Sequence, residues 1–263
     1  MKRSIKITLA GIGMMAALMA GRIFAPEAVR FYRDMSFYWQ ERSDVEIFVK
    51  EYAEEHDLSY GAYPESLIEL LERNPETEKF VLEYPVYEKV DFDLSEYENS
   101  DTVPLFLQWD QRWGYEKYGS DCIGITGCGP TCLAMVGFYL TGEDFFAPNI
   151  VAEFSEQNGY YASGYGSSWK LISEGGEKLG LDVKEIPLVK KRMVENLELG
   201  NPIICAVGPG DFTSAGHYIV LAAMEQEKFR VNDPNSVANS ERLWEFEELA
   251  HQIRNLWVIR KGK

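Results

Sequence analysis

Apolar residues recur three and four apart through VEIFVKEYAEEH (residues 45–56), a spacing that predicts an amphipathic helix. SLIELLERNPE predicts another, opening at Ser66 and stopping at Asn74-Pro75, because the residue before a proline leaves the helical region. EKFVLEYP is a shorter amphipathic stretch, and the polar run 91–103 reads as a linker. TCLAMVGFYLTG then predicts a helix closed by Gly142. WKLISEGGEKLGL and VKKRMVENLELG repeat the helical pattern, whereas NPIICAVG, HYIVLAAM and FRVNDP are short apolar or alternating runs bounded by Gly, Pro and Asn. Those three read as strands. Helices come first and strands later, which predicts an α+β domain rather than a βαβ repeat.

The N-terminus follows a different rule. Lys2, Arg3 and Lys6 precede an uncharged, mostly apolar run from Ile7 to Gly21, and Arg22 ends it. As a helix that run would span about 22 Å, short of a hydrocarbon core of roughly 30 Å. It reads as an export signal, either cleaved or kept as an anchor, with its basic end cytoplasmic. The expected organisation is an export signal or membrane anchor over 1–25, an acidic helical extension over 26–100 and a catalytic domain over 101–263. The downstream chain is then expected outside the cytoplasmic membrane.

The formal net charge of −16 sharpens this picture. Residues 34–100 carry nineteen acidic against five basic side chains, which reads as a solvated helical surface. No stretch after residue 33 is basic, so nucleic acid is not an expected partner.

The chemistry centres on ITGCGPTCLAM, residues 125–135. Gly127 and Gly129 around Cys128 allow a sharp turn and close approach of a substrate. Pro130 suits a first helical turn, where its missing N–H costs nothing. Cys128 would then stand at a helix N-terminus, where free amides favour an anion. Only His56, His217 and His251 are available as a base. His217 opens the strand HYIVLAAM, and the short turn EQEK folds FRVNDP back alongside it. Asp233, sixteen residues after His217, can thereby reach the imidazole and orient it. Phe229, Val231 and Asp233 share one face by alternation. Gln108 in LFLQWDQRWG is the candidate for a side-chain oxyanion donor beside the Cys128 amide. GYYASGYGSSW (159–169) could line a groove with Trp169 as a wall, and GPGDFTSAG brings Gly216 and a loop beside His217. His56 reads as a solvent-facing helix residue and His251 as structural.

Cys122, Cys132 and Cys205 lack the histidine partners and spacing of a zinc site. One disulfide among them, or buried free thiols, both fit the sequence. A Cys122–Cys128 bridge would be a latent state.

In this order QWDQRWGY, TGCGPT, GHYIVL and VNDPNS resemble the papain-like cysteine peptidases of the bacteriocin-processing, double-glycine-leader type. The resemblance covers roughly residues 101–263. YPESLIELLERNPET likewise resembles the extension of many secreted bacterial members. The resemblance implies a papain-like fold, Cys128 as nucleophile, His217 as general base and acid, Asp233 orienting it and Gln108 in the oxyanion hole. The handedness of the order differs from papain in one respect, since Gln108 lies twenty residues before the cysteine rather than just before it. Leader-processing relatives are usually fused to an ABC transporter, which these residues do not include, so leader cleavage is not the expected substrate.

The expected protein is an extracytoplasmic cysteine peptidase acting on peptide or protein substrates through an acyl-enzyme, with no metal or organic cofactor. Its membrane contact is expected through the N-terminal segment alone. The alternatives are a thiol-dependent cell-wall amidase or acyltransferase, and a non-catalytic peptide-binding module on the same fold. The acidic extension would serve as a stalk, or as a prosegment over the groove.

Overall fold

The computed structural model describes residues 44–98, 100–164 and 166–262. The apolar segment over 1–25 lies outside the described residues. Among the described residues no helix is long and apolar enough to cross a membrane. By internal contacts the chain divides into two units, residues 1–60 and 61–263. In the first, residues 44–55 are helical. His56 follows this helix, exposed, its ring stacked on Tyr52 at 4.0 Å.

The second unit is organised by a six-stranded antiparallel sheet. Its strands are β1 (Leu181–Glu185), β2 (Ile203–Val207), β3 (His217–Glu225), β4 (Lys228–Asn232), β5 (Leu243–Trp244) and β6 (Ile253–Lys261). They lie in the spatial order β1-β6-β2-β3-β4-β5. Alternation divides strands β2, β3 and β6 between two cores, the second of which β4 also joins. Ile204, Ala206, Tyr218, Val220, Trp257 and Ile259 enter one. Ile203, Cys205, Val207, Ile219, Leu221 and Val231 enter the other.

The first core is filled by the helix Cys128–Thr141, which is buried from Gly129 through Phe138. A helix apolar on every side can be stable only if it is covered on every side. The sheet covers one flank, and the helix Pro148–Gln157 with the preceding Phe146 covers another. A Cβ at Gly137 would stand 2.1 Å from the Phe146 ring, so a glycine is what lets the two segments meet. Gly142 ends the helix in the left-handed conformation, φ +72°, its N–H donating to Phe138 O at 2.7 Å. On the far face of the sheet the helix Lys190–Glu198 supplies Met193 and Leu197.

Three features of this unit have plain causes. WKLISEGGEKLGL is helical as predicted, with a wide turn over Leu171–Gly175 running into Gly176–Lys178. Gly180, at φ +86°, then reverses the chain, and LDVKE becomes strand β1. Strand β6 was invisible to alternation because Leu256–Ile259 is buried on both faces between β1 and β2. By internal contacts the second unit begins at Gly61. The polar run 91–98 carries Phe92, Leu94 and Tyr97, all of which join the first core. Arg112 fixes the same run by pairing with Glu96 and donating to the Tyr97 hydroxyl at 2.9 Å. Further upstream, Phe80 stacks on Tyr115 with ring centroids 4.3 Å apart.

The β3–β4 hairpin turns through only two residues, Gln226 and Glu227, between the paired Glu225 and Lys228. Both have positive φ, +51° and +65°. Such a tight turn matches the strand twist but strains side chains other than Gly and Asn. Replacing Gln226-Glu227 by Asn-Gly is therefore expected to stabilise the protein by about 1–2 kcal/mol. Urea unfolding checks this; an unchanged midpoint would show that the turn carries no strain.

Candidate active site

Cys128 is the first residue of the long buried helix, directly after Gly127. The helical ladder starts at Thr131, whose N–H donates to Gly127 O at 3.0 Å. The Cys128 and Gly129 amides therefore precede the ladder, and Pro130 has none to offer. The Cys128 side chain is half-buried, whereas Cys122, Cys132 and Cys205 are buried. All four are free thiols, so neither a disulfide nor the Cys122–Cys128 bridge forms.

The glycines around Cys128 are there for fit. A Cβ at Gly127 would lie 2.5 Å from Ile123 O, and one at Gly129 would lie 2.5 Å from Ser167 Oγ. Protein fills the space beside both, so neither position has room for a larger side chain. Gly216 differs: it is exposed, and nothing lies within 4 Å of where its Cβ would be.

His217 opens β3 opposite Val207 of β2. Asp233 follows the last residue of β4, Asn232, which pairs with Val220. The hairpin register therefore brings Asp233 level with the beginning of β3. The His217 Nε2 to Asp233 Oδ1 distance is 2.7 Å, and the two side chains are only 7% and 1% exposed. Phe229 and Val231 share a face as expected, but the chain turns at Asp233 through a bridge to Ser236.

A carboxylate buried this deeply needs every lone pair met. Asp233 Oδ1 also accepts from Asn235 N–H at 2.9 Å, and Oδ2 accepts from Asn239 Nδ2 at 2.8 Å. With Nε2 committed to Asp233, Nδ1 of His217 is left for Cys128, whose sulfur is near enough to help hold the proton on the imidazole. Burial works against charge on His217. The Asp233 charge and hydrogen bond, followed by the Cys128 sulfur, outweigh it and raise the imidazole to about 10. The other thiols face the opposite situation. Burial, with Asp121 nearby, pushes Cys122 up to about 12, and burial likewise pushes Cys132 and Cys205 upward.

Gln108 is 3% exposed and bridges the two halves of the site. Its N–H donates to Pro234 O at 2.7 Å, next to Asp233, and its Nε2 donates to Gly124 O at 2.8 Å, just before the Cys128 turn. A carboxamide nitrogen carries two N–H groups, so one remains for the site. Among the described residues the Gln108 Oε1 has no hydrogen-bond partner. The structure thus brings together Cys128, His217, Asp233 and Gln108. Trp169 is half-exposed and packs edge-on against Trp257 at 5.9 Å. His251 is exposed, with Nδ1 3.1 Å from Glu247 O.

Two supporting groups escaped the sequence reading. Asn235 and Asn239 complete the shell of Asp233, and the signal was present in Ser236, which caps the short helix Val237–Glu241 by accepting from Asn239 N–H. The second is a buried hydroxyl cluster beside Gly129. Tyr118 Oη lies 2.8 Å from Ser155 Oγ and 2.7 Å from Ser167 Oγ, and Tyr218 Oη donates to Ser167 O at 3.1 Å. Its members come from four separate segments, which no local pattern connects. Among the described residues no cluster of three His, Cys, Asp or Glu side chains is placed to hold a metal ion.

A helix presenting a cysteine to a histidine on the antiparallel sheet, with helices segregated from strands, is the α+β architecture of papain-like cysteine peptidases. The family model described as Peptidase_C39 like family matches residues 100–263, and the chain belongs to that family. Among solved structures it is similar to the peptidase domain of Streptococcus ComA, described as a bi-functional ABC transporter involved in a quorum sensing pathway. Identity is 19%, over 56% of this chain and 99% of that one, with a TM-score of 0.43. It is also similar to a protein from Bacillus anthracis described as a C39-like peptidase. There identity is 16%, over 67% of this chain and 100% of the other, with a TM-score of 0.36. No curated protein matches the chain.

The raised His217 gives a pH signature. Stabilisation by the pair is fully present below the ordinary histidine value of 6.5 and is lost as pH rises through about 10. Asp233→Asn should therefore cost on the order of 3 kcal/mol near pH 6. The gap from the wild type should close towards pH 10 in urea titrations. A gap constant across that range would contradict the assignment.

Proposed function

We propose that this protein is an extracytoplasmic cysteine peptidase that hydrolyses peptide bonds through Cys128, His217 and Asp233. The observation that carries the reading is one buried imidazole held on Nε2 by Asp233 at 2.7 Å, with the Cys128 sulfur beside it. Membership of the family supports a peptide or protein as substrate.

In this reading the Cys128 proton already rests on His217 Nδ1, in keeping with the raised imidazole, and the thiolate attacks the carbonyl carbon. Asp233 holds the other ring N–H, on Nε2, and so keeps Nδ1 turned towards the sulfur. Charge develops on the carbonyl oxygen, where the Cys128 amide and the second Nε2–H of Gln108 are the donors. His217 returns the proton to the departing amine, leaving a thioester. A water molecule, deprotonated by the same imidazole, then releases the acid and restores the thiol. The basic and apolar segment Lys2–Arg22 supports export, with the segment either cleaved or retained as an anchor.

The test needs no substrate. Cys128 alone is expected to react quickly with iodoacetamide, with labelling that persists below pH 7 and falls at least tenfold in His217→Ala. Peptide mass spectrometry reads each cysteine separately, and the other three, kept protonated by burial, should label slowly. Labelling of Cys128 that is slow and indifferent to His217 would rule the peptidase reading out.

A further inference from the structure

The acidic segment before the family-matched region reaches directly into the loop that carries Asp233. Glu76 Oε2 accepts from Val237 N–H at 2.6 Å. Its Oε1 accepts from Ser236 Oγ at 3.0 Å and from Ala238 N–H at 3.2 Å. One carboxylate thus meets the cap and the first two amides of the helix Val237–Glu241. Its neighbour Asn74 donates from Nδ2 to Asn235 O at 2.6 Å, while Asn74 Oδ1 accepts from Glu76 N–H at 3.1 Å. Trp109 Nε1 reaches the same Asn235 O at 3.1 Å.

These bonds matter because the loop has little structure of its own. A helix of five residues does not persist unaided in water. Yet this helix supplies Asn239 Nδ2 to Asp233 Oδ2, and its Ser240 Oγ accepts from Asp233 N–H at 2.9 Å. The carboxylate that orients His217 is therefore oriented in turn by a helix whose first turn rests on Glu76. A carboxylate at a helix N-terminus forms charge-assisted hydrogen bonds, stronger than neutral ones.

We propose that Glu76, seated by Asn74, is a positioning residue for the reaction, acting through the 233–239 loop on Asp233 and His217. This rests on the peptidase reading above. It makes the segment from Gly61 onward a working part of the catalytic unit rather than a removable cover.

The experiment compares Cys128 alkylation against pH in the full chain for wild type, Glu76→Gln, Asp233→Asn and the double variant. Glu76→Gln preserves size but loses the charge and turns an amide donor towards the Val237 N–H. It should slow labelling below pH 7 by about tenfold, the size of one charge-assisted hydrogen bond, and move the pH profile towards that of an ordinary thiol. In the Asp233→Asn background the same change should have no further effect, since its route is then cut. A folded Glu76→Gln protein with the wild-type profile, or one whose effect adds fully to Asp233→Asn, overturns the proposal. A purely structural role would lower the melting temperature without moving the profile. Should Glu76→Gln not fold, Asn74→Ala is read in the same way, with the same two deciding outcomes. Failure of the peptidase reading looks different: the wild type itself labels slowly and ignores His217→Ala.

Discussion

Asp233 is a carboxylate kept almost wholly out of water, and the rest of the site exists on the terms that this imposes. An ion of that size loses several kcal/mol of hydration on burial unless partners replace the water. Three donors do so here: His217, the Asn235 amide and the Asn239 carboxamide. The donors come from a strand, a turn and a short helix, so all three must hold their places at once. This requirement explains why the chain spends Ser236, Ser240, Glu76 and Asn74 on a loop of so few residues. It also explains the sign of the His217 shift. Burial alone would strip the imidazole of its proton, and the fixed charge at 2.7 Å reverses that tendency.

Cys128 is positioned by a different physical means. Its helix is buried along most of its length, so packing against the sheet and the helix Pro148–Gln157 sets its axis and its rotation. Small displacements of such a helix would open cavities or force clashes, each at a cost of order 1 kcal/mol or more. Gly129 against Ser167 and Gly137 against Phe146 are the close contacts that fix it. A thiol at the end of a rigid helix and an imidazole at the end of a rigid hairpin meet without a flexible element between them. Gln108 ties the two together from the side, bonding to backbone that adjoins each.

The acidic segment illustrates how composition can mislead about role. Its charge is that of a solvated surface, and most of its carboxylates are just that. The residues that matter are the few that are not on the surface: Phe80 and Leu94 in packing, Asn74 and Glu76 at the Asp233 loop. The domain accordingly starts well before the region that the family match covers.

Much of this was legible in the order of residues alone. The helix at Cys128 and its closure at Gly142, the strands around His217 and Asp233, and the α+β class all follow from local spacing and turn chemistry, because these are near-neighbour effects. That Asp233 could reach His217 was readable from the short turn between their strands, but the register was not, because it depends on a bulge between Leu221 and Ala223. What only the tertiary structure decided depends on residues far apart in the chain. Strand β6 shows no alternation because it is buried on both faces, and burial is a property of the whole sheet. The shell of Asp233 depends on side chains from residue 76 to residue 239. The close fit of the glycines beside Cys128 against Ile123 and Ser167 was not readable, because steric fit is set by whichever segments the fold brings near. Sequence determines the candidates by their chemistry; only packing determines which distant neighbours each one meets.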